Sequence, residues 1–458
     1  MSRQEGVAFV VGASIGGLCA ARVLADHFEE VIVVEKDGLD DAFAPRKGVP
    51  QGRHTHALLA RGAQLLEQFF PGLTQDALAA GAIPVELTRD VLWFNYGVFL
   101  KEAPSGEIGI SLSRPRFEGL VRRRLAALGN VRILDRTEAV EPIADEKRAR
   151  VVGLRTRTRG ELSVDRPSAL VIDAGGRGAR TPAWLEAMGF ARAPEDSVKV
   201  DIGYTTCMFR RRPEQLGGHT AIVMGLCAPD WRGGAMVAQE DSTWIVTLGG
   251  YLGDKAPSDA RGFLDYARSL QKPDVYEALK DAEPLCEPFL YNIPSNLRRR
   301  YEKLERFPEG YLPFGDALCS FNPIYGQGMT VAATEADALA KCLAQGQDQL
   351  APRFFKAAAK VIDIPWDMAV GSDLQNPGVE GARPLRTRFI NWWVRHVFLA
   401  AADDATLSRT FVGVANLSLP PTRLLGPDAV LRVVRHALGA RSTAAPGFSA
   451  EPKARRAA

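Results

Sequence analysis

Cysteine is scarce: the 458 residues hold six, at 19, 207, 227, 286, 319 and 342, and no two form a CxxC pair. A disulfide scaffold would be far richer in cysteine, so a reducing interior is the natural compartment. Apolar runs are short. No stretch approaches the roughly 18 uninterrupted apolar residues that a membrane-spanning helix needs. The start, MSRQEGVAFVVGAS, has no apolar segment followed by a cleavage site, so no secretory signal is evident and a cytoplasmic protein is expected. Charge of one sign is also lacking: 57 Lys and Arg against 54 Asp and Glu leave +3. That excess is too small for a dedicated nucleic-acid binder. The arginine triplets at 122–124, 210–212 and 298–300 read as solvated faces or ordinary ion pairs. What remains is globular: 46% hydrophobic and 24% charged residues exclude wholesale disorder. At roughly 150 residues per domain, the length suits up to three domains, or one or two larger ones.

The opening segment is the most informative. Residues 7–11 form a continuous apolar run, as expected of a parallel strand covered on both faces. Gly12, Ala13, Ser14, Ile15, Gly16 and Gly17 follow, then an apolar-periodic helix from 18 to about 28 and a second apolar run, 31–34, ending at Glu35 with Lys36 beside it. In such a β–turn–α–β unit the glycines allow a tight turn, close approach to a pyrophosphate and close helix–strand packing. The helix N-terminus offers free N–H groups to phosphates. Glu35 sits where an acid takes ribose hydroxyls. Ser14 replaces the middle glycine of the fingerprint. Residues 12–16 also spell G-x-S-x-G, the nucleophile elbow of serine hydrolases. That elbow normally follows several strands, whereas one short strand precedes it here.

Residues 42–62, AFAPRKGVPQGRHTHALLARG, gather Arg46, Arg53, Arg61, Lys47, His54 and His56 in a Pro/Gly-punctuated loop running into a helix at about 61–70. A cationic loop over a phosphate-bearing ligand fits this better than a metal site, since His54 and His56 have no acidic or Cys companion at ligand spacing. Strands are expected within 84–112, near 131–140 and 150–157, and at 170–173, with a helix over 117–128. Short β-like runs between 198 and 250 predict a mostly antiparallel sheet forming a pocket wall. Helices are expected near 258–282, over 329–345 and beyond 376, and residues 442–458 read as a disordered tail.

A second signal lies far downstream. Residues 310–317 read as a strand ending in Gly315-Asp316, and residues 322–330, NPIYGQGMT, open a long helix. Asp316 can accept from a ribitol or ribose hydroxyl, and the Gly-rich turn again offers bare N–H donors. Two helix N-termini could then hold both halves of one extended dinucleotide.

The three patches GASIGG with Glu35, DAGGRGAR at 173–180 and GDALCSFNPIYGQGMT at 315–330 resemble the FAD motifs of flavoprotein aromatic hydroxylases, the group A monooxygenases. PQGRHTHALL at 50–59, SRPRFEGLVR at 113–122 and NPIYGQGMT look most like the bacterial polyether epoxidase branch, akin to squalene epoxidase. The resemblance covers about residues 6–440. It implies an α/β fold: an FAD-binding, Rossmann-like domain of the glutathione reductase type from 1–85, 105–180 and 290–375, an inserted, mostly antiparallel β-sheet substrate domain from 86–104 and 181–289, and a C-terminal helical region over 376–441. By the same resemblance Gly12 to Gly17 bind the ADP pyrophosphate and Glu35 the adenosine ribose. Arg46 and Arg114 contact the FAD phosphates or ribityl region, and Asp316 the ribitol or pyrophosphate. Gly326, Gln327, Gly328, Met329 and Thr330 lie along the isoalloxazine, while Pro323 and Tyr325 face the substrate.

The implied activity is an FAD monooxygenase in which a flavin C4a-hydroperoxide transfers one oxygen from O2 to a hydrophobic, natural-product-like substrate such as a polyene, terpenoid or polyketide. Because the cofactor carries the chemistry, no catalytic acid or base is assigned, and Tyr204, Tyr325, Trp366 and Asp373 are pocket candidates only. The middle motif lacks the usual Asp-Gly-Ser, which leaves open whether NAD(P)H reduces the flavin directly or through a separate flavin reductase. The apolar C-terminal helices fit a greasy substrate, a dimer face or a peripheral membrane contact. A prenyl-chain reductase or dehydrogenase using FAD is the alternative, and a serine hydrolase using Ser14 the remote one. The WxWxIP signature of flavin halogenases is absent.

Overall fold

The computed structural model describes residues 4–39 and 43–443. Five parallel strands form the first sheet, in the order Tyr311–Pro313, Leu170–Asp173, Gln4–Val11, Phe28–Val34, Val131–Leu134. The continuous apolar run at the start is the middle strand of this sheet. Ala8, Phe9 and Val10 are enclosed on both faces, the condition that makes parallel strands uniformly apolar. Helices Ile15–His27 and Gly328–Leu343 pack against each other, and the largest apolar cluster fills the space between helices and sheet.

A second sheet of eight strands runs Cys319–Ser320, Phe289–Arg299, Glu195–Arg210, Thr243–Gly250, Arg232–Gln239, Ala221–Met224, Val91–Asn95, Val98–Phe99. Its pairs are antiparallel except Ala221–Met224 with Val91–Asn95. The 16-residue strand Glu195–Arg210 is longer than the expected short run because it pairs on both sides, with a register shift between Lys199 and Ile202. Strands Thr137–Ala144, Val151–Thr158 and Ser163–Pro167 make a three-stranded antiparallel sheet.

Helix Leu350–Asp373 is the longest. Pro352 falls in its first turn, where a missing N–H costs nothing, whereas Pro365 lies buried inside it. Helices Leu385–Ala401, Ala405–Ala415 and Pro427–Thr443 share a separate apolar cluster around Trp393, Val397, Phe398 and Leu407. Of the expected tail, residues 442 and 443 instead close the last helix, and 444–458 lie outside the described residues. Two arginines of the triplets are buried and form ion pairs, the second of the two expected arrangements: Arg122 lies 3.9 Å from Glu118 and Arg298 2.7 Å from Asp363.

Candidate active site

A cavity of about 1290 Å³ runs from the Gly-rich turn after the first strand, past residues 314–329, to the C-terminal helices. At its first end Gly12 takes φ +98, and a Cβ there would lie 2.8 Å from the Ala174 carbonyl oxygen. A Cβ on Gly17 would lie 1.8 Å from the Gly12 oxygen, so this glycine lets helix and turn close on each other. A Cβ on Gly16 would meet nothing nearer than 3.8 Å, and Gly16 borders the cavity at the helix N-terminus. Ser14 caps that helix in ordinary extended backbone, φ −85, and its Oγ accepts from Arg114 Nη2 at 3.0 Å. A strained turn and an imidazole partner, the two marks of a nucleophile elbow, are both missing at Ser14.

Gly12, Ser14, Ile15, Gly16, Glu35, Lys36, Arg114, Asp316, Pro323, Tyr325, Gly326, Gln327, Gly328 and Met329 all border the cavity. Ala13, Gly17, Arg46 and Thr330 stand behind its wall. Arg46 donates to the Ala13 carbonyl at 3.1 Å, pairs with Glu35 at 3.0 Å and hydrogen-bonds Glu118. Glu35 accepts from the backbone N–H of Ala13 at 2.8 Å and of Asp37 at 3.0 Å. Both residues thereby brace the turn from beneath.

Glu118, unassigned on the sequence, joins this brace. Its second oxygen takes Arg114 Nη2 at 3.1 Å. Burial favours its neutral form, but Arg114 and Arg46 outweigh that and hold the carboxyl below its usual range. The four-residue spacing of Arg114 and Glu118 on helix Arg114–Ala126 is the signal that would have found it.

Asp316 follows the strand Tyr311–Pro313 and borders the cavity, and its carboxylate has no hydrogen-bond partner among the described residues. Burial raises it above the usual range, against the pull of Arg114 and Arg177. Arg114 Nε and Gln327 Oε1 are buried and likewise unpartnered. His54 Nδ1 lies 2.7 Å from Thr206 Oγ1, and burial with Arg53 nearby pushes the imidazole down to about 4. His56 is pushed down to about 3, by burial first and Arg114 second. Shifts in this direction favour the neutral imidazoles, and among the described residues no group of three or more His, Cys, Asp and Glu is placed to hold a metal ion.

The turn 322–326 is held from below by a residue the sequence offered only as a pocket candidate. Asp373, wholly enclosed, ends helix Leu350–Asp373. One carboxylate oxygen accepts from Tyr251 Oη at 2.7 Å, Tyr325 Oη at 2.8 Å and Asn322 Nδ2 at 2.9 Å, and the other from Asn296 Nδ2 at 2.6 Å. Asn296 Oδ1 in turn accepts from the Asn322 N–H at 2.6 Å. Tyr204 and Tyr251 line the cavity, while Trp366 is a core residue. Beyond the turn the wall becomes apolar, with Trp93, Phe94, Trp393, Phe398 and Phe411.

A parallel sheet with a Gly-rich first turn, a large antiparallel sheet and a C-terminal helical region is also the fold of solved flavin-dependent halogenases and monooxygenases. Solved structures that share it include the following three. The flavin-dependent brominase Bmp2 gives a TM-score of 0.64 at 15% identity, covering 96% of this chain and 99% of that one. A flavoprotein/dehydrogenase from Cytophaga hutchinsonii gives 0.67 at 13%, covering 96% and 100%. The p-nitrophenol 4-monooxygenase PnpA from Pseudomonas putida gives 0.63 at 17%, covering 90% and 97%. No protein-family model matches the chain. It is 37% identical over 430 residues to Protein Rv3254 of Mycobacterium tuberculosis, covering 88% of each, and belongs to the same family as that protein.

Proposed function

We propose that the chain is an FAD-dependent monooxygenase acting on a hydrophobic small molecule. The observation that carries this reading is the single cavity joining the Gly-rich turn to an aromatic chamber among the C-terminal helices. Its first end suits FAD. The helix N-terminus at Gly16 offers N–H groups to a pyrophosphate, and the unpartnered carboxylate of Asp316 can accept from ribityl hydroxyls. Gln327 Oε1 and Arg114 Nε await polar partners, and the helix starting at Gly328 directs its positive end at the turn 322–326.

Bound FAD, once reduced, supplies O2 activation and delivery of one oxygen atom. The chain's own groups bind, orient and exclude water. The Asp373 cluster fixes the backbone of Asn322-Pro323-Ile324-Tyr325-Gly326, and the apolar chamber positions a carbon skeleton against it. Whether the oxygen enters as an epoxide or a hydroxyl depends on the substrate carbon presented. Reducing equivalents come from NAD(P)H directly or through a flavin reductase.

The test is a visible spectrum of the protein with added FAD, followed by turnover of polyene, terpenoid and polyketide candidates under ¹⁸O₂. FAD binding and incorporation of one labelled oxygen are expected. Double-bond reduction under anaerobic conditions would move the assignment to an FAD reductase. Failure to bind FAD would overturn the reading.

A further inference from the structure

Helix Leu385–Ala401 has an apolar face on each side. Trp393, Val397, Phe398 and Ala401 turn inward to the cluster shared with the last two helices. Leu385, Phe389 and Trp392 recur at the spacing of one helix face, yet are 79%, 53% and 53% exposed. The Phe389 and Trp392 rings lie 5.9 Å apart, and Trp392 and His396 4.4 Å apart, continuing the stripe. Scattered exposed apolar residues are ordinary, but a contiguous aromatic stripe is not.

The charge on the helix itself is of one sign. The helix carries Arg386, Arg388 and Arg395 and no Asp or Glu. Arg388 and Arg395 fall on the exposed side with the stripe. The cavity opens beside it: Pro384, Arg386, Ile390 and Leu425 are at once exposed and part of the cavity wall. Arg386 faces Asp367 across this mouth at 3.7 Å. No helix among the described residues is long and apolar enough to cross a bilayer.

We infer that this face docks on an anionic lipid surface, with helix Leu385–Ala401 lying in the headgroup region and the cavity mouth turned toward the acyl chains. An aromatic stripe flanked by arginines suits the boundary between headgroups and acyl chains, and the arginines complement acidic lipid. Docking serves a bilayer-dissolved apolar substrate, a consequence that rests on the function proposed above. The docking itself does not.

The test uses the full chain with FAD and vesicles of phosphatidylcholine alone or mixed equally with phosphatidylglycerol. Co-sedimentation with the mixed vesicles is expected, weakened by high salt, with a blue shift of tryptophan emission. Reversing two charges in Arg388→Glu/Arg395→Glu should reduce the partition coefficient at least about tenfold. Phe389→Ser/Trp392→Ser should abolish the blue shift. Both pairs are exposed, so the melting temperature should stay unchanged. Equal binding to both vesicles, or binding to neither, would overturn the proposal. So would a dimer in sedimentation velocity that the same substitutions turn into monomers, since the stripe would then join two copies. A flavin spectrum unchanged in every variant separates this outcome from failure of the monooxygenase reading.

Discussion

Replacing Asp373 tests how firmly the turn 322–326 is held. Four donors end on this enclosed carboxylate. In Asp373→Ala the hydroxyls of Tyr251 and Tyr325, which border the cavity, can turn toward water. The side-chain amides of Asn296 and Asn322 cannot, since both residues have no exposed surface. Two buried donors left unpaired, at about 1–3 kcal/mol each, give a loss of about 2–6 kcal/mol. Asp373→Asn keeps the shape and one acceptor oxygen, but sets an amide donor against Asn296 Nδ2. Asn296 cannot flip to relieve this without losing the Asn322 N–H bond at 2.6 Å. One lost bond of this kind costs about 1–3 kcal/mol. Denaturant unfolding of apoprotein should therefore rank wild type, Asn, Ala in falling stability, and FAD affinity should fall in the same order. An alanine variant within about 0.5 kcal/mol of wild type, the range of an ordinary surface change, would refute the reasoning.

Three further outcomes follow from the site. Gly17→Ala places a Cβ 1.8 Å from the Gly12 oxygen, so FAD affinity should fall at least about a hundredfold or the protein should not fold, measured by flavin fluorescence titration and circular dichroism. Glu118→Ala leaves Arg46 and Arg114 without their shared buried partner and should cost about 3–5 kcal/mol in unfolding, with Glu118→Gln losing less. Burial pushes Glu335 up to about 8 from an ordinary 4.5. The folded chain therefore keeps a proton that the unfolded chain releases between those values, so the contribution of Glu335 to stability should decline as pH rises from about 4.5 to 8, against the rise that His54 and His56 give up to their ordinary 6.5. Glu335→Gln should flatten that slope in apoprotein melts across the same range.

The primary structure by itself determined the elements with local signals. The apolar run at 7–11, the glycines at 12 and 17 and the helix after them are legible because strand burial, a positive φ and a 1.8 Å approach each demand a particular residue at one position. The same holds for the Gly-Asp at 315–316, the turn before Gly328 and the antiparallel pocket wall, since turn chemistry and alternation act within a few residues. Tertiary structure alone decided the partnerships. Asp373 meets Tyr251, Asn296, Asn322 and Tyr325 from 122, 77, 51 and 48 residues away. A single acid at the end of a proline-interrupted segment gives no hint of which donors will converge on it. Arg46 reads as a phosphate ligand in a cationic loop, yet the fold sets Glu118 72 residues away beneath it and turns it inward. Likewise an amphipathic pattern marks which face of helix Leu385–Ala401 is apolar. Only packing shows that one apolar face is covered and the other left bare at the mouth of the cavity, because burial depends on neighbours that local sequence does not encode.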